Sequence, residues 1–339
     1  MIKYLGSKRT LVPRIERIVR GLPVASAADL FAGTTRVAQA LRRLGLHVVS
    51  NDLASYSEAF GRAYVERTEQ GRVPELLERL RAAEPVRGYV TETFCEAARY
   101  FRPENGMRID GMRAALDGID ADPVERGTLL TALLEAADRV DSTVGLQMAY
   151  LKEWAPRAWQ PLDLREPALC PGPAGAVTRL DANQLAPDLD VDLAYVDPPY
   201  NSHSYYANYH VWETIVRGDE PEHYGTACKR VDCRTTKSRY NSRREAWGAL
   251  TELIGALATP WLIVSFSDEG FHDPHELRAL LAERGHVGVA EVDSKRYVGA
   301  KIGIHNPRGE KVGTIGRLRN RELLFVVGPD ASAVESALA

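Results

Sequence analysis

Short apolar runs alternate with segments of helical spacing at the start of the chain. Residues 27–31 have the character of a buried strand, and the apolar positions between 37 and 44 repeat along one helix face, which Gly45 closes. Residues 46–50 predict a second strand, and Asp52 follows it closely. A strand, a small-residue turn, a helix, a strand and an acid in this order predict the first half of a nucleotide-binding α/β unit.

Apolar runs in the second half of the chain predict the rest of a sheet. Leu193 to Val196 form a short buried strand that a breaker ends, and 261–267 is a longer run of the same kind. We therefore expect an α/β fold with a sheet of about seven strands. The remaining strands are predicted near Asp181, over 287–292 and over 323–327, with helices at 211–216 and 276–282.

A long segment of helical spacing separates Asp52 from the strand near Asp181. Prolines interrupt its pattern at Pro85, at 103–106 and at 122–123, and a proline-rich stretch over 161–174 predicts a linker back to the sheet. We expect a catalytic domain built from 1–60 and 175–339, with an inserted, mainly helical domain over 61–174. The predicted helices cover 54–69, 73–83, 90–101 and 122–150.

The strand at 193–196 ends in Asp197-Pro198-Pro199-Tyr200. Open α/β sheets bind ligands beyond the carboxyl ends of their strands, so Asp197 is expected at the ligand crevice. Each proline fixes its own φ and restricts the residue before it, which holds the Asp197 carboxylate and the Pro198 carbonyl in a stiff frame. Two fixed acceptors beside the Tyr200 ring fit a planar amino group. The bare tetrapeptide is equally compatible with a rigid turn that has no chemical role.

The turn after the first strand contains one glycine, Gly33, where a dinucleotide-binding turn would contain three. A glycine here lets a ligand approach the backbone, the following helix end favours a carboxylate, and Asp52 can accept from ribose hydroxyls. The alternative is that Gly33 is an ordinary turn residue and Asp52 caps a helix. As a whole, the unit favours a nucleoside ligand without a pyrophosphate.

Charge and composition limit the class of protein further. The 339 residues are 45% hydrophobic and 26% charged, with a formal net charge of -3, so any nucleic-acid contact must be local. Two basic runs, 229–244 and 295–321, offer such contacts. Either run alone is more typical of a solvated face, but two in the half that carries Asp197 favour phosphate contact.

Cysteine spacing and apolar run lengths predict the compartment. The four cysteines are irregularly spaced, which suggests reduced thiols. Cys228 and Cys233 are close enough in sequence to suggest a metal site, but no second close pair completes a set of ligands, so we expect no metal. The sequence contains no run of about 18 apolar residues and no signal-like stretch at its start, so we expect a cytoplasmic protein with no membrane partner.

Three segments occur in a fixed order along the chain: Lys3-Tyr4-Leu5-Gly6-Ser7-Lys8, Asp29-Leu30-Phe31-Ala32-Gly33 and Asp197-Pro198-Pro199-Tyr200. They resemble the amino-terminal cofactor motif, the glycine motif and the catalytic motif of the Dam-like family of DNA adenine-N6 methyltransferases, which includes the modification enzymes of restriction systems. Asp52 also matches the family's acid after the second strand. Thr35 departs from the pattern, because the family usually has a second glycine there.

The resemblance implies a Rossmann-like methyltransferase sheet whose last strand is antiparallel, S-adenosylmethionine as cofactor, and target recognition by the inserted domain. By similarity, Asp52 would hold the cofactor ribose and Asp181, matched by position, would meet its adenine amino group. The implied cofactor-binding residues are Tyr4, Lys8, Phe31, Gly33, Asp52, Asp181 and Asp197, and the implied catalytic residues are Asp197, Pro198, Pro199 and Tyr200.

On this view Asp197 and Pro198 accept hydrogen bonds from an adenine amino group that has been flipped out of a DNA duplex, and Tyr200 stacks on the base. Tyr205, Tyr206 and Asn208 could line the pocket or fill the gap left in the duplex; the alternative is a surface loop that leads into the helix at 211–216. The predicted DNA contacts in the first basic run are Lys229, Arg230, Lys237, Arg239, Tyr240 and Asn241.

Three functions remain open from the sequence. The leading one is a site-specific DNA adenine-N6 methyltransferase acting on double-stranded DNA, with a cognate restriction endonuclease as a possible partner. The second is an amino methyltransferase for cytosine N4 or for an RNA adenine, because the same acceptors suit any aromatic amine. The third is a binding module that keeps the fold without the chemistry. The sequence does not indicate the oligomeric state.

Overall fold

A seven-stranded sheet forms the centre of the fold. The computed structural model describes residues 2–268, 270–295 and 319–339, so most of the second basic run lies outside the described residues. The strands are β1 (Ser26–Asp29), β2 (His47–Asn51), β3 (Ala176–Thr178), β4 (Leu193–Val196), β7 (Trp261–Ser267), β8 (His286–Lys295) and β9 (Arg319–Gly328), with β5 (His223–Tyr224) and β6 (Lys229–Arg230) forming a separate antiparallel pair.

The sheet confirms the predicted α/β class and the antiparallel last strand. The strands lie in the order β3-β2-β1-β4-β7-β9-β8; the first five run parallel to one another, whereas β9 is antiparallel to both β7 and β8. The strand β4 is buried along its whole length, and so is β7, as expected for central strands covered on both faces. The carboxyl ends of the parallel strands therefore meet at one edge, and the beginning of β9 comes to the same edge.

Helices cover both faces of the sheet and build a separate layer. They are α1 (Val12–Arg20), α2 (Arg36–Arg43), α3 (Ser55–Gly61), α4 (Val73–Arg81), α5 (Pro103–Asp117), α6 (Pro123–Val140), α7 (Ala182–Leu185), α8 (Tyr205–Asn208), α9 (His210–Arg217), α10 (Ala246–Ala256), α11 (Pro274–Ala282) and α12 (Ala331–Leu338), with π-helical turns at Arg62–Glu66 and Val90–Ala97.

The inserted segment is mainly helical, but two of its predicted bounds are wrong. The predicted break at 103–106 is the start of α5, because a proline in the first helical turn loses no hydrogen bond and is preset to helical φ. The predicted helix over 122–150 ends at Val140, and Asp141 follows in extended conformation. Its start is correct, and the capping box of Asp122 and Glu125 fixes it.

Three buried apolar clusters hold these layers together, one on each face of the sheet and one among the helices of the insertion. The helical cluster also includes Tyr209, Trp212 and Ile215 at the α8–α9 segment, so the region that follows Asp197 packs directly against the insertion. Among the helices that the structure describes, none combines the length and the apolar character needed to cross a membrane.

Candidate active site

A cavity with about 1190 Å³ of empty space, part of it open to solvent, lies at the carboxyl edge of the parallel strands. We call it the strand-end cavity. It brings together the ends of β1, β2 and β4 with the amino-terminal segment, the start of α7 and the region around 236–241. All predicted cofactor residues line it, as do Pro198 and Pro199: Tyr4, Lys8, Phe31, Gly33, Asp52, Asp181 and Asp197.

Lys8 and Asp197 form an ion pair at the wall of this cavity. The Lys8 Nζ lies 3.0 Å from Asp197 Oδ1, and only 8% and 15% of the two side chains are exposed. Burial lowers the pKa of Lys8, but the surrounding acidic groups, with Asp197 the largest contributor among them, together leave the pKa well above its usual value. Burial raises the pKa of Asp197, and Lys8 opposes this rise. The ammonium thus offsets part of the effect of burial on the carboxylate at the end of β4.

A second carboxylate, Glu322, shares the same ammonium. Its Oε2 lies 3.7 Å from Lys8 Nζ, and its side chain is 12% exposed. Glu322 stands on β9 opposite Ser267, the last residue of β7, which is why an antiparallel strand delivers it to the edge where Asp197 lies. The sequence prediction missed this residue.

Two further acids face the cavity from β1 and β2. Asp29 is 1% exposed and accepts from the Ala38 amide at 3.0 Å; burial, followed by the charge of Asp197, raises its pKa to about 8. Asp52 accepts from the amides of Gly33 at 2.9 Å and Ala54 at 3.0 Å. Burial raises the pKa of Asp52, although these amides oppose the rise. The cavity is therefore lined by buried acids whose pKa values lie above their usual range.

Aromatic rings form the opposite wall. Tyr4 stacks on Tyr209 with ring centroids 4.4 Å apart and on Tyr205 at 5.6 Å, and its hydroxyl lies 3.3 Å from that of Tyr56. Trp212 also stacks on Tyr209, with ring centroids 4.6 Å apart, and lies 6.3 Å from the Tyr4 ring. Tyr4 is thereby fixed by packing on several sides, and its ring is presented to the cavity without freedom to reorient.

The turn after β1 passes close to Tyr4. Gly33 has φ +51°, and a Cβ there would come within 3.0 Å of the Tyr4 ring. Thr35 also adopts a left-handed conformation, with φ 59° and ψ 21°. Glycine is the residue that most readily adopts this conformation. The chain therefore has a threonine where the family usually has a glycine, but the backbone at this position is still left-handed.

The other predicted residues take distinct places. Asp181 follows β3 by three residues and caps α7, accepting from the Asn183 amide at 2.8 Å, so it does not end a strand as expected. The Phe31 ring packs edge-on against Tyr240 at 5.2 Å. Tyr200 packs on Phe266, with ring centroids 5.9 Å apart, and its ring also lies 5.9 Å from Lys8 Nζ.

The segment that follows Asp197-Pro198-Pro199-Tyr200 forms part of the wall of the strand-end cavity. Tyr205 and Tyr206 line the cavity, in agreement with expectation. Tyr206 donates to Asp232 at 3.0 Å. Asn208 is 2% exposed, which removes it as a residue that could enter a duplex.

The first basic run divides into buried and exposed members. Arg230 is 1% exposed, and its guanidinium donates to Asp219 at 2.6 Å and to Asp232 at 2.7 Å. The prediction that Arg230 contacts DNA is therefore corrected: the side chain is occupied inside the protein. Tyr240 is likewise buried, and its hydroxyl donates to Asn183 at 2.7 Å.

The remaining members lie nearer to solvent. Lys237 is exposed and lines the mouth of the cavity, and Lys229 is half-buried. Arg239 is exposed but pairs with Glu252 at 2.6 Å. Asn241 donates to the carbonyls of Asn201 at 2.9 Å and His203 at 3.0 Å, so it braces the loop that follows Tyr200.

The cysteines do not assemble with other ligands. All four are buried free thiols. Within residues 2–268, 270–295 and 319–339, no group of three or more histidines, cysteines and acids is placed to hold a metal ion.

The donor set fits a cationic nucleoside cofactor such as S-adenosylmethionine. Four acidic side chains line the cavity, at residues 29, 52, 181 and 197, together with the basic side chains of Lys8, Arg36 and Lys237. A ligand carrying a sulfonium and an ammonium would place positive charge beside these acids, while Asp52 retains acceptor capacity toward ribose hydroxyls. Asp29 was not predicted as a site residue; its buried position at the end of β1 is what identifies it.

The chain is similar in sequence to a known protein family and to known proteins. A family model described as D12 class N6 adenine-specific DNA methyltransferase matches residues 4–258. The chain is 30% identical over 314 residues to the type II methyltransferase M.NlaIII of Neisseria lactamica, covering 87% of this chain and 92% of that protein.

Two more distant comparisons differ in extent. The modification methylase LlaI of Lactococcus lactis subsp. lactis is 28% identical over 320 residues, which cover 87% of this chain but 51% of that longer protein. Among solved structures, the magnesium protoporphyrin IX methyltransferase ChlM from Synechocystis PCC 6803 with bound SAM covers 94% of this chain at a TM-score of 0.34 and 10% identity. That structural likeness is too low to carry an argument.

Proposed function

Because the chain belongs to the D12 class N6 adenine-specific DNA methyltransferase family and is thus an S-adenosylmethionine-dependent DNA methyltransferase, we propose which of its residues bind the cofactor and which receive the substrate. The strand-end cavity binds the cofactor through Tyr4, Gly33 and Asp52, and Asp197 receives the target amino group. The observation that carries this proposal is that Asp197, held by Lys8, lines the same cavity as the cofactor residues. Phe31 and Asp181 complete the cofactor side.

The proposed chemistry depends on hydrogen-bond acceptors fixed before the substrate arrives. The adenine amino nitrogen is a poor nucleophile because its lone pair is delocalised into the ring. Hydrogen bonds from its two N–H groups to the Asp197 carboxylate and the Pro198 carbonyl would favour a pyramidal nitrogen. The bound cofactor supplies an electrophilic methyl group on sulfur. Preorganised groups of this kind lower barriers by roughly 3 to 4 kcal/mol each.

Tyr200 is proposed as the stacking partner of the flipped base. Its ring lies beside Lys8 and rests on Phe266, so its position is set by packing before any base enters. An adenine within a duplex cannot reach acceptors at the bottom of such a cavity, so the base must leave the stack.

DNA contact is proposed for the exposed and half-buried members of the first basic run. Lys237 at the mouth of the cavity, with Lys229 and Arg239, supplies charge for phosphates next to the flipped base. The inserted domain over 61–174 is proposed to recognise the target sequence. A cytoplasmic location and a cognate restriction endonuclease are proposed from the relatives, whose names are those of modification methylases.

The test is an Asp197→Asn variant, which keeps the shape of the side chain and removes its charge. We expect methyl transfer from labelled cofactor to DNA to fall by at least 100-fold while cofactor affinity, measured by calorimetry, changes little. Asp190→Asn is the matched control, because Asp190 is exposed and precedes the opposite end of β4. Activity retained by Asp197→Asn would refute the assigned role.

The base that is modified is tested in the same experiment. Digestion of the labelled DNA to nucleosides should yield N6-methyladenosine in its deoxy form. Recovery of methylcytosine alone would support the second function, an amino methyltransferase of another target.

A further inference from the structure

We propose that Glu322 is a positioning residue for methyl transfer: it competes with Asp197 for the Lys8 ammonium and so keeps Asp197 a strong hydrogen-bond acceptor. This inference rests on the proposed role of Asp197. It concerns a residue that lies far from the three sequence motifs and beyond residues 4–258, the region that the family model matches.

Geometry makes the competition possible. One ammonium lies 3.0 Å from Asp197 Oδ1 and 3.7 Å from Glu322 Oε2, and all three side chains are largely buried. A movement of less than an ångström would exchange the closer partner. Because water has little access, neither carboxylate is screened, and the ammonium must divide its charge between them.

The division of the Lys8 charge between two carboxylates matters because a salt-bridged carboxylate is a weaker hydrogen-bond acceptor. If Lys8 paired with Asp197 alone, its charge would withdraw electron density from the oxygens that must receive the adenine N–H groups. A second carboxylate draws the ammonium away and restores that accepting power. In the transfer step the nitrogen–carbon bond forms as the sulfur–carbon bond breaks, sulfur keeps the electron pair, and the nitrogen gains positive charge that Asp197 must stabilise. The methylated nitrogen then loses one proton to solvent, which leaves the neutral product.

The charged environment of Glu322 is consistent with this role. Burial raises its pKa, Lys8 lowers it and Asp197 raises it again, with a net rise. Two carboxylates around one ammonium are coupled, so removing one charge must lower the pKa of the other. Among the described residues, the titratable groups that face this pair from neighbouring elements are Lys8, Asp29, Tyr195, Tyr200, Tyr205 and Asp268.

The test is Glu322→Gln, measured by single-turnover methyl transfer to DNA between pH 5.5 and 9 with saturating cofactor. We expect the rate at pH 8 to fall about 10-fold, less than the loss of a whole preorganised group. The acid limb of the pH profile should move to lower pH, because Asp197 then has Lys8 to itself. Cofactor affinity, measured by calorimetry without DNA, should stay within about 3-fold, since the change lies on the substrate side.

Two further variants separate positioning from simple packing. Glu322→Asp keeps the charge and should return the acid limb toward that of the unmodified enzyme. Glu291→Gln makes the same substitution on the adjacent strand β8, where the side chain is exposed and pairs with Arg321, and should change nothing.

Three results would overturn the proposal: an acid limb that stays in place in Glu322→Gln, a cofactor affinity that falls as far as the rate, or no recovery of the acid limb in Glu322→Asp. Failure of the underlying role of Asp197 appears separately, as activity retained by Asp197→Asn.

Discussion

A methyl group added at Gly33 should weaken cofactor binding through its effect on Tyr4. Gly33 has φ +51°, and the added Cβ of Gly33→Ala would lie 3.0 Å from the Tyr4 Cε1 and 3.1 Å from its hydroxyl oxygen. Ordinary contacts between carbon atoms are about 3.5 to 4.0 Å, so the ring must move by about half an ångström. The stack on Tyr209, at 4.4 Å between ring centroids, leaves no room for this movement.

Gly71 provides a control that isolates the Tyr4 contact. It has the same φ of +51°, and an added Cβ there meets no atom within 4 Å. An alanine in left-handed conformation costs about 1 to 2 kcal/mol at either position, so this cost cancels in the comparison. Overpacking adds about 1 to 3 kcal/mol at Gly33 alone.

Urea unfolding should therefore show a larger loss of free energy of unfolding for Gly33→Ala than for Gly71→Ala, with equal m-values. Calorimetric affinity for S-adenosylmethionine should fall at least about 10-fold in the first variant, because 1.4 kcal/mol corresponds to that factor, and should not change in the second. Unchanged affinity in Gly33→Ala would refute both the overlap with Tyr4 and the assignment of this turn to the cofactor.

The other predictions concern charge, protonation and backbone strain. Lys237→Ala should weaken DNA binding and lower the salt dependence of the binding constant by about one counterion, measured by fluorescence anisotropy. Arg230→Met should lower the free energy of unfolding by about 1 to 3 kcal/mol in urea titrations, because Asp219 and Asp232 lose a buried partner and then depend on the more exposed Arg217. Burial lowers the pKa of His210 to about 3, below its unfolded value near 6.5, so unfolding free energy should fall as pH falls through this window, and His210→Gln should flatten that dependence in urea titrations at several pH values. Thr35→Gly should retain cofactor affinity within about 3-fold, and a larger loss by calorimetry would contradict the view that the left-handed backbone is what the site requires.

The central strands were predictable because burial on both faces leaves a direct trace in the sequence. The runs at 193–196 and 261–267 have the same bounds in the structure, since a strand covered on both sides reads as an unbroken apolar segment. The bounds of α5 were not predictable from breakers alone. A proline is compatible both with the end of one helix and with the first turn of the next, and only tertiary contacts decide which of the two forms.

Charge runs were a weaker guide than apolar runs. The segment 229–244 is basic in sequence, but Arg230 turns inward to Asp219 and Asp232. The pairing of β5 with β6 and the position of α9 bring these acids to it, and neither relation has a local sequence signal. Lys237, in contrast, is exposed as the charge pattern suggested. The number of basic residues in a run therefore overstates the charge available to a polyanion.

Contacts that form only in the folded chain also explain why Thr35 and Glu322 could not be assigned from motifs. Thr35 looked like a departure from a glycine-containing turn, yet it takes the left-handed conformation and secures it with its own hydroxyl, which donates to the Thr34 carbonyl at 2.8 Å and accepts from Gln39 Nε2 at 2.9 Å. Contacts with α2 thus offset strain of about 1 to 3 kcal/mol that a glycine would avoid. Glu322 reaches Asp197 only because β9 is inserted antiparallel beside β7. A motif records which residues lie together along the chain, whereas the chemistry of Asp197 depends on a charge delivered from its far end.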